Sequence, residues 1–113
     1  MSFSFSAEIT IYRGQVFEAC DMFMLDRPSY SDEHYTIDYK LAKRIIDNAD
    51  SLVAMTDRYT MRQMRAINVA SVIQSLMVDY ITKVTLAQPK DMTRNERTRY
   101  FRKATRKFKI ELW

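Results

Sequence analysis

Glycine and proline are scarce in this chain: among its 113 residues stand one glycine, Gly14, and two prolines, Pro28 and Pro89. Folds rich in strands need many tight turns, and tight turns use glycine and proline. The chain is 47% hydrophobic, and its length fits one domain with a modest core. We therefore predict a single all-α domain over residues 1–113, built from a few long helices with short connections.

Apolar residues recur at helical spacing in four segments of the sequence. We predict helices over residues 8–25, from residue 32 or 36 to residue 55, over residues 61–87, and from residue 93 towards the C-terminus. Thr60 is a candidate cap for the third helix, and Thr93 with Glu96 matches the capping-box pattern for the fourth. Short links make neighbouring helices antiparallel, so the predicted architecture is an antiparallel up-down-up-down four-helix bundle.

The N-terminal residues carry a competing signal. Phe3, Phe5, Ala7, Ile9 and Ile11 alternate with polar residues, and this is the spacing of a strand. We favour a helix from residue 8 onward and interpret residues 1–6 as a flexible or docking arm. A glycine in that helix, at position 14, weakens it but would allow a neighbouring helix to approach closely.

Charge is distributed unevenly along the chain. Residues 1–50 hold nine acids and five bases, net −4, whereas residues 51–113 hold five acids and thirteen bases, net +8. In the last quarter, Phe101, Ala104, Phe108 and Leu112 recur at helical spacing and predict one apolar stripe beside a dense basic face. Such a face indicates an acidic partner, and nucleic acid is the first candidate.

Arginine dominates lysine on this predicted face, and the planar guanidinium suits phosphate and carboxylate recognition. Two arginines at the start of the third helix would extend the basic surface if the bundle brings them close. A solubilising surface is the alternative interpretation. The candidate nucleic-acid or partner-binding residues are Arg62, Arg65, Arg94, Arg99, Arg102, Lys103, Arg106 and Lys107.

Signals for catalysis, metals or cofactors are weak. Cys20 is the sole cysteine and falls on the apolar stripe of the first helix, where a buried hydrophobe is expected. The single histidine, His34, adjoins Glu33 in a connection and is not part of a metal-binding motif. Asp47 and Asp50 share a helix face at a spacing common on solvated surfaces. We predict a protein that is not an enzyme and needs no cofactor or metal.

The sequence contains no apolar run approaching the ~20 residues that span a bilayer. The first six residues, MSFSFS, lack the basic region and apolar core of a signal peptide. The expectation is a cytoplasmic protein that does not contact a membrane.

Several short segments resemble one known family. Residues 27–36, RPSYSDEHYT, resemble the segment before the second helix in the accessory variability determinant proteins of diversity-generating retroelements. Residues 45–49, IIDNA, resemble that helix, and residues 90–93, KDMT, resemble the link before the last helix. The final Trp113 stands where the family tends to have a tryptophan.

The resemblance implies a four-helix bundle that assembles as a homo-pentamer with a basic surface. It also implies binding to a reverse transcriptase and its template RNA, or an RNA/DNA hybrid, in support of mutagenic copying. Two alternatives come from other classes. One is a small helical inhibitor or interaction protein, of the kind encoded by phages, that acts by protein–protein binding. The other is a metal-dependent bundle enzyme.

Overall fold

Three helices form the centre of the fold. The computed structural model describes residues 9–113, with α1 at Arg13–Met22, α2 at Tyr39–Met55 and α3 at Met61–Leu86. Helices α1 and α2 both pack against α3. Helix α3 contributes the largest share of the core, with Ala66, Val69, Ala70, Ile73, Leu76, Met77, Tyr80 and Val84 buried.

The start of α3 matches the sequence prediction. The Thr60 hydroxyl accepts a hydrogen bond from the Gln63 backbone N–H at 3.1 Å, and the Gln63 side chain accepts one from the Thr60 N–H at 2.8 Å. This reciprocal pairing satisfies two backbone donors that a helix end otherwise leaves unpaired. The predicted helix over residues 61–87 is thus confirmed to within one residue.

A three-stranded sheet makes the predicted all-α four-helix bundle wrong. Strands β1 (Ser29–Ser31), β2 (His34–Asp38) and β3 (Lys109–Leu112) pair antiparallel in the order β1-β2-β3. The described chain is 64% helical and 11% strand. The sheet uses residues 29–38, which are predicted as a connection and the start of the second helix, and residues 109–112, which are predicted as the end of the last helix.

The hairpin between β1 and β2 turns without glycine. Asp32 and Glu33 at its tip have φ values of 50° and 67°. Two consecutive residues with positive φ are the mark of a type I′ turn, whose twist matches that of the flanking strands. An aspartate tolerates this conformation better than most residues, but a glutamate pays a steric cost there. The scarcity of glycine therefore did not exclude a tight turn.

Helix α2 begins later than predicted because β2 occupies the preceding residues. Asp38 is the N-cap, and its carboxylate accepts a hydrogen bond from the Leu41 backbone N–H at 2.8 Å. Ile37, predicted as the first residue of the apolar stripe of α2, is fully buried but belongs to the strand.

The last helix is shorter than predicted. Helix α4 runs over Arg94–Lys107, and the chain then continues as β3. Phe108, Ile110 and Leu112 are buried and alternate with exposed charged residues, which is the period of a strand with one face in the core. Phe108 and Leu112 therefore reach the core from an extended chain and not from a helical stripe.

The described residues that precede α1 are hydrogen-bonded to the C-terminal residue. The Trp113 N–H donates to the Ile11 carbonyl at 2.9 Å, and the Arg13 N–H donates to the Trp113 carbonyl at 3.2 Å. Ile11 is buried. Residues 9–12 are assigned to neither a helix nor a strand, and the predicted helix start at residue 8 is wrong because α1 begins at Arg13. The predicted arm at residues 1–6, with Phe3 and Phe5, lies outside the described residues.

Gly14 lies exposed in the first turn of α1, and among residues 9–113 no heavy atom outside its own stretch of helix lies within 4 Å of the position that a Cβ would take. The close helix approach expected from the sequence is not what this glycine provides. We predict that Gly14→Ala raises the free energy of unfolding by about 0.5–1 kcal/mol, because alanine costs less backbone entropy in a helix. Urea denaturation of both proteins would measure this, and an unchanged or lower midpoint would contradict it.

Candidate nucleic-acid interface

Helix α4 lies at the edge of the fold. None of its residues is buried. Its start is fixed by the predicted capping box, in which the Thr93 hydroxyl accepts from the Glu96 N–H at 3.2 Å and the Glu96 carboxylate accepts from the Thr93 N–H at 3.3 Å. Near its end, the Tyr80 hydroxyl of α3 donates to the Ala104 carbonyl at 2.7 Å. Helix α4 is thus attached to the core chiefly by its last two turns.

The half-buried residues of α4 show which side of the helix faces the core, and the opposite side therefore faces solvent. Tyr100, Ala104 and Thr105 are half-buried, and every other residue of the helix is exposed. With 3.6 residues per turn, Arg102 and Arg106 point about 160° away from Ala104, and Arg99 points about 140° away. These three arginines therefore share the face that points into solvent, as the sequence predicted.

The cations of α4 are free of ion pairs within the described part of the chain. The ion pairs there join Arg27 to Asp21, Arg65 to Glu18 and Lys83 to Asp79, all outside α4. Arg94, Arg99, Arg102, Lys103, Arg106 and Lys107 are all exposed. Their guanidinium and ammonium groups keep their hydrogen-bond donors available to an acidic partner.

Arg62 and Arg65 lie on a different surface from α4. They start α3, and Arg62 lies about 27 Å along the helix axis from Tyr80, where α4 packs. Arg65 forms two hydrogen bonds with Glu18 of α1, at 2.7 and 3.0 Å. The hydrogen bond from Arg65 lowers the pKa of Glu18, and the charge of Arg62 lowers it further. These arginines belong to a surface of mixed charge and do not extend the basic face.

The overall dimensions show how far the fold departs from a sphere. The radius of gyration is 15.4 Å, with extents of 49 × 35 × 25 Å. A compact domain of this length is expected near 13 Å. Helix α4 has no buried residue and lies at the edge of this elongated fold. A long surface is therefore open to a partner.

Cys20 is fully buried on the core-facing side of α1, as the sequence predicted. Burial, with a smaller contribution from the neighbouring charge of Asp21, raises the pKa of its thiol to about 11. Because the thiolate is the nucleophile, this environment suppresses reactivity.

We predict that the native thiol of Cys20 reacts with an aromatic disulfide reagent at least about 100-fold more slowly at pH 8 than the same thiol in 8 M urea. A pKa raised from 9.0 to about 11 lowers the thiolate population by that factor, and burial slows access further. The absorbance of the aromatic thiolate that the reagent releases measures both reaction rates. Equal rates in the two conditions would contradict the buried position of this side chain.

Within residues 9–113, no group of three or more His, Cys, Asp and Glu side chains is placed to hold a metal ion. His34 is exposed at the start of β2 and faces away from the core.

Helix α3 is long and apolar enough to cross a membrane by length and composition, with a mean hydropathy of 1.2 over its most apolar window. The central helix of a globular domain gives the same signal. In this fold α3 packs against both α1 and α2, so the signal is weak.

Comparison with known proteins gives no relative: no family model matches the sequence, no curated protein is significantly similar to it, and no solved structure matches it.

Proposed function

We propose that this protein is a non-enzymatic RNA-binding adaptor that contacts phosphate groups through helix α4. The observation that supports the proposal most is the outward arginine face of Arg99, Arg102 and Arg106, free of ion pairs in the described chain. A purely solubilising surface would need neither this excess of arginine nor its separation from acids. Contacts of this kind bind phosphates with little sequence readout.

The finer proposal is that the adaptor brings a template RNA, or an RNA/DNA hybrid, to the reverse transcriptase of a diversity-generating retroelement. It includes assembly as a homo-pentamer in the cytoplasm. This part is supported by the resemblance of residues 27–36, 45–49 and 90–93 to the accessory variability determinant family. The bundle architecture that the resemblance implies is not the fold observed, so the RNA-binding surface is the stronger part of the proposal.

Salt dependence of RNA binding tests the proposal. The probe is a fluorescein-labelled single-stranded RNA of 20 nucleotides, and its anisotropy is followed between 50 and 200 mM KCl. Four outward cations, Arg99, Arg102, Lys103 and Arg106, predict a slope of log K against log salt near about −3. No saturable binding at 50 mM KCl would overturn the proposal. Native mass spectrometry tests the pentamer separately.

A second candidate function is protein–protein binding, and exposed apolar residues favour it. Val53, Met55, Met61 and Met64 surround the connection between α2 and α3, and Met55 and Met61 are 82% and 68% exposed. Flexible thioether side chains suit adaptable binding surfaces. Replacing Met55 and Met61 by Gln would abolish capture of such a protein partner and leave RNA binding unchanged, which separates the two functions.

A further inference from the structure

A concave surface lies between the outer face of the sheet and the first turns of α2. Its volume is about 450 Å³, and neither α3 nor α4 contributes to it. Hydroxyl groups and one cation line it from the sheet, and two cations line it from α2. The residues on which the argument rests are Ser29, Ser31, Thr36, Lys40, Arg44 and Lys109.

The strand register places the hydroxyl groups together. Ser29 pairs with Thr36, and Ser31 pairs with His34, so Ser29, Ser31 and Thr36 share one face of the hairpin. The Ser31 and Thr36 hydroxyl oxygens lie 3.4 Å apart. The opposite face carries Ile37, which is buried in the core. The hydroxyl face is therefore the side of the sheet turned away from the core.

Three cations meet at this face from two elements. Lys40 and Arg44 are one helical turn apart on α2, so their side chains point the same way. Lys109 begins β3 directly opposite Asp38, the cap of α2. None of the three cations has an ion pair within residues 9–113.

Two carboxylates, those of Asp26 and Asp38, line the concave surface, and one of them already accepts a hydrogen bond. The Asp38 carboxylate accepts the Leu41 N–H and so interacts with the positive end of α2. Arg27 also lines the surface, but its guanidinium is paired with Asp21. Asp26 remains as the one lining carboxylate with no hydrogen bond or ion pair in the part of the chain that the structure describes.

We propose that this concave surface binds a phosphate group, of the terminal kind that a mononucleotide carries. A terminal phosphate has nearly two negative charges and several acceptor oxygens. Lys40, Arg44 and Lys109 supply the charge. Ser31 and Thr36 share one hydrogen bond, so the hydroxyl that accepts it and the Ser29 hydroxyl supply the neutral donors. The cavity volume suits a small phosphorylated molecule. The site is separate from α4 and does not rest on the RNA-binding proposal.

An NMR titration of the 113-residue chain tests this site. Inorganic phosphate is added at constant ionic strength, with chloride as the balancing ion, and backbone amide shifts are followed. We expect saturable shifts, with a millimolar dissociation constant, confined to residues 29–31, 36–44 and 109. The same titration is repeated with adenosine 5′-monophosphate and with adenosine. Tighter binding of the nucleotide identifies a nucleotide as the source of the phosphate, equal binding identifies the phosphate alone, and saturable binding of adenosine at these residues would overturn the proposal.

Matched variants make the test specific. Lys40→Gln with Arg44→Gln should weaken phosphate binding at least about 10-fold, whereas Lys43→Gln, on the same helix but outside the concave surface, should leave it unchanged. All three positions are exposed, so the fold should persist, and the amide spectrum itself shows whether it does. Shifts spread over the basic residues of the whole chain, or equal losses in Lys43→Gln and the double variant, would overturn the proposal.

Discussion

Reversing three charges on helix α4, with Arg99, Arg102 and Arg106 replaced by Glu, is expected to lower the affinity for single-stranded RNA by roughly 100-fold at 50 mM KCl. The three guanidinium groups share the outer face of α4 and have no ion pair in the described chain. Their loss removes three charge-assisted contacts, and the carboxylates repel phosphate. The slope of log K against log salt should become less steep by about 2. Anisotropy of labelled RNA measures both quantities.

The control for this experiment is a second triple reversal with the same change in net charge. Lys43, Arg58 and Arg62 are exposed and lie on α2, on the connection after it and at the start of α3. Their replacement by Glu should cost only a few-fold in affinity. Circular dichroism checks that both variants keep their helices, and an Arg→Gln version of the α4 triple serves if charge reversal unfolds it. Equal losses in the two reversals would show that net charge, and not the α4 face, governs binding.

Some elements could be predicted from sequence because their determinants are local. The capping boxes of α3 and α4 each depend on two residues three positions apart, Thr60 with Gln63 and Thr93 with Glu96. The apolar period of α3 is long enough to exclude other structures. In both helices the start was predicted within one residue of its observed position.

The hairpin could not be predicted because its sequence shows neither a long alternation of apolar and polar residues nor the usual turn residues. β1 is only three residues long, and its turn uses Asp32 and Glu33 where glycine or asparagine is expected. The pairing of β2 with β3 joins residues more than seventy positions apart. No local signal specifies such a contact, and so the sequence favoured a connection followed by a helix.

The basic face of α4 is formed by one segment of the sequence, whereas the concave surface combines segments that are far apart in the sequence. The α4 arginines could be found because charge and helical period both lie within one segment. Arg62 and Arg65 extend the basic face only if the fold brings them close to α4, and the observed fold separates them from it. The concave surface combines residues of the hairpin, α2 and β3, so it could be recognised only once the register placed Lys109 beside α2.

The second large expected effect is a loss of stability, and it concerns the residues that follow α4. Spacings of four residues between Phe108 and Leu112 fit a helix and a strand equally well, because four is close to a helical turn and also a multiple of two. Ile110 between them decides in favour of the strand, since it is buried with them. Phe101, predicted on the same stripe, is 41% exposed, whereas Phe108 is fully buried.

Replacing Phe108 by Ala is expected to lower the free energy of unfolding by about 3–5 kcal/mol. The Phe108 ring packs edge-on against Tyr80 at 5.2 Å and against Tyr39 at 6.2 Å between ring centroids. It therefore joins the start of β3 to both α2 and α3. A domain of this size has a total stability of about 5–15 kcal/mol, so the variant should be partly unfolded at moderate urea concentrations.

Phe101→Ala is the matched comparison, because it makes the same chemical change seven residues earlier on an exposed position of α4. It should lower the free energy of unfolding by about 1 kcal/mol, because the Phe101 side chain is 41% exposed and loses only part of its burial. Urea denaturation followed by circular dichroism measures both variants against the parent protein. If the chain instead continued as a helix to its C-terminus, with both rings on one buried stripe, the two substitutions would cost similar amounts. That result would overturn the assignment of residues 109–112 to a strand.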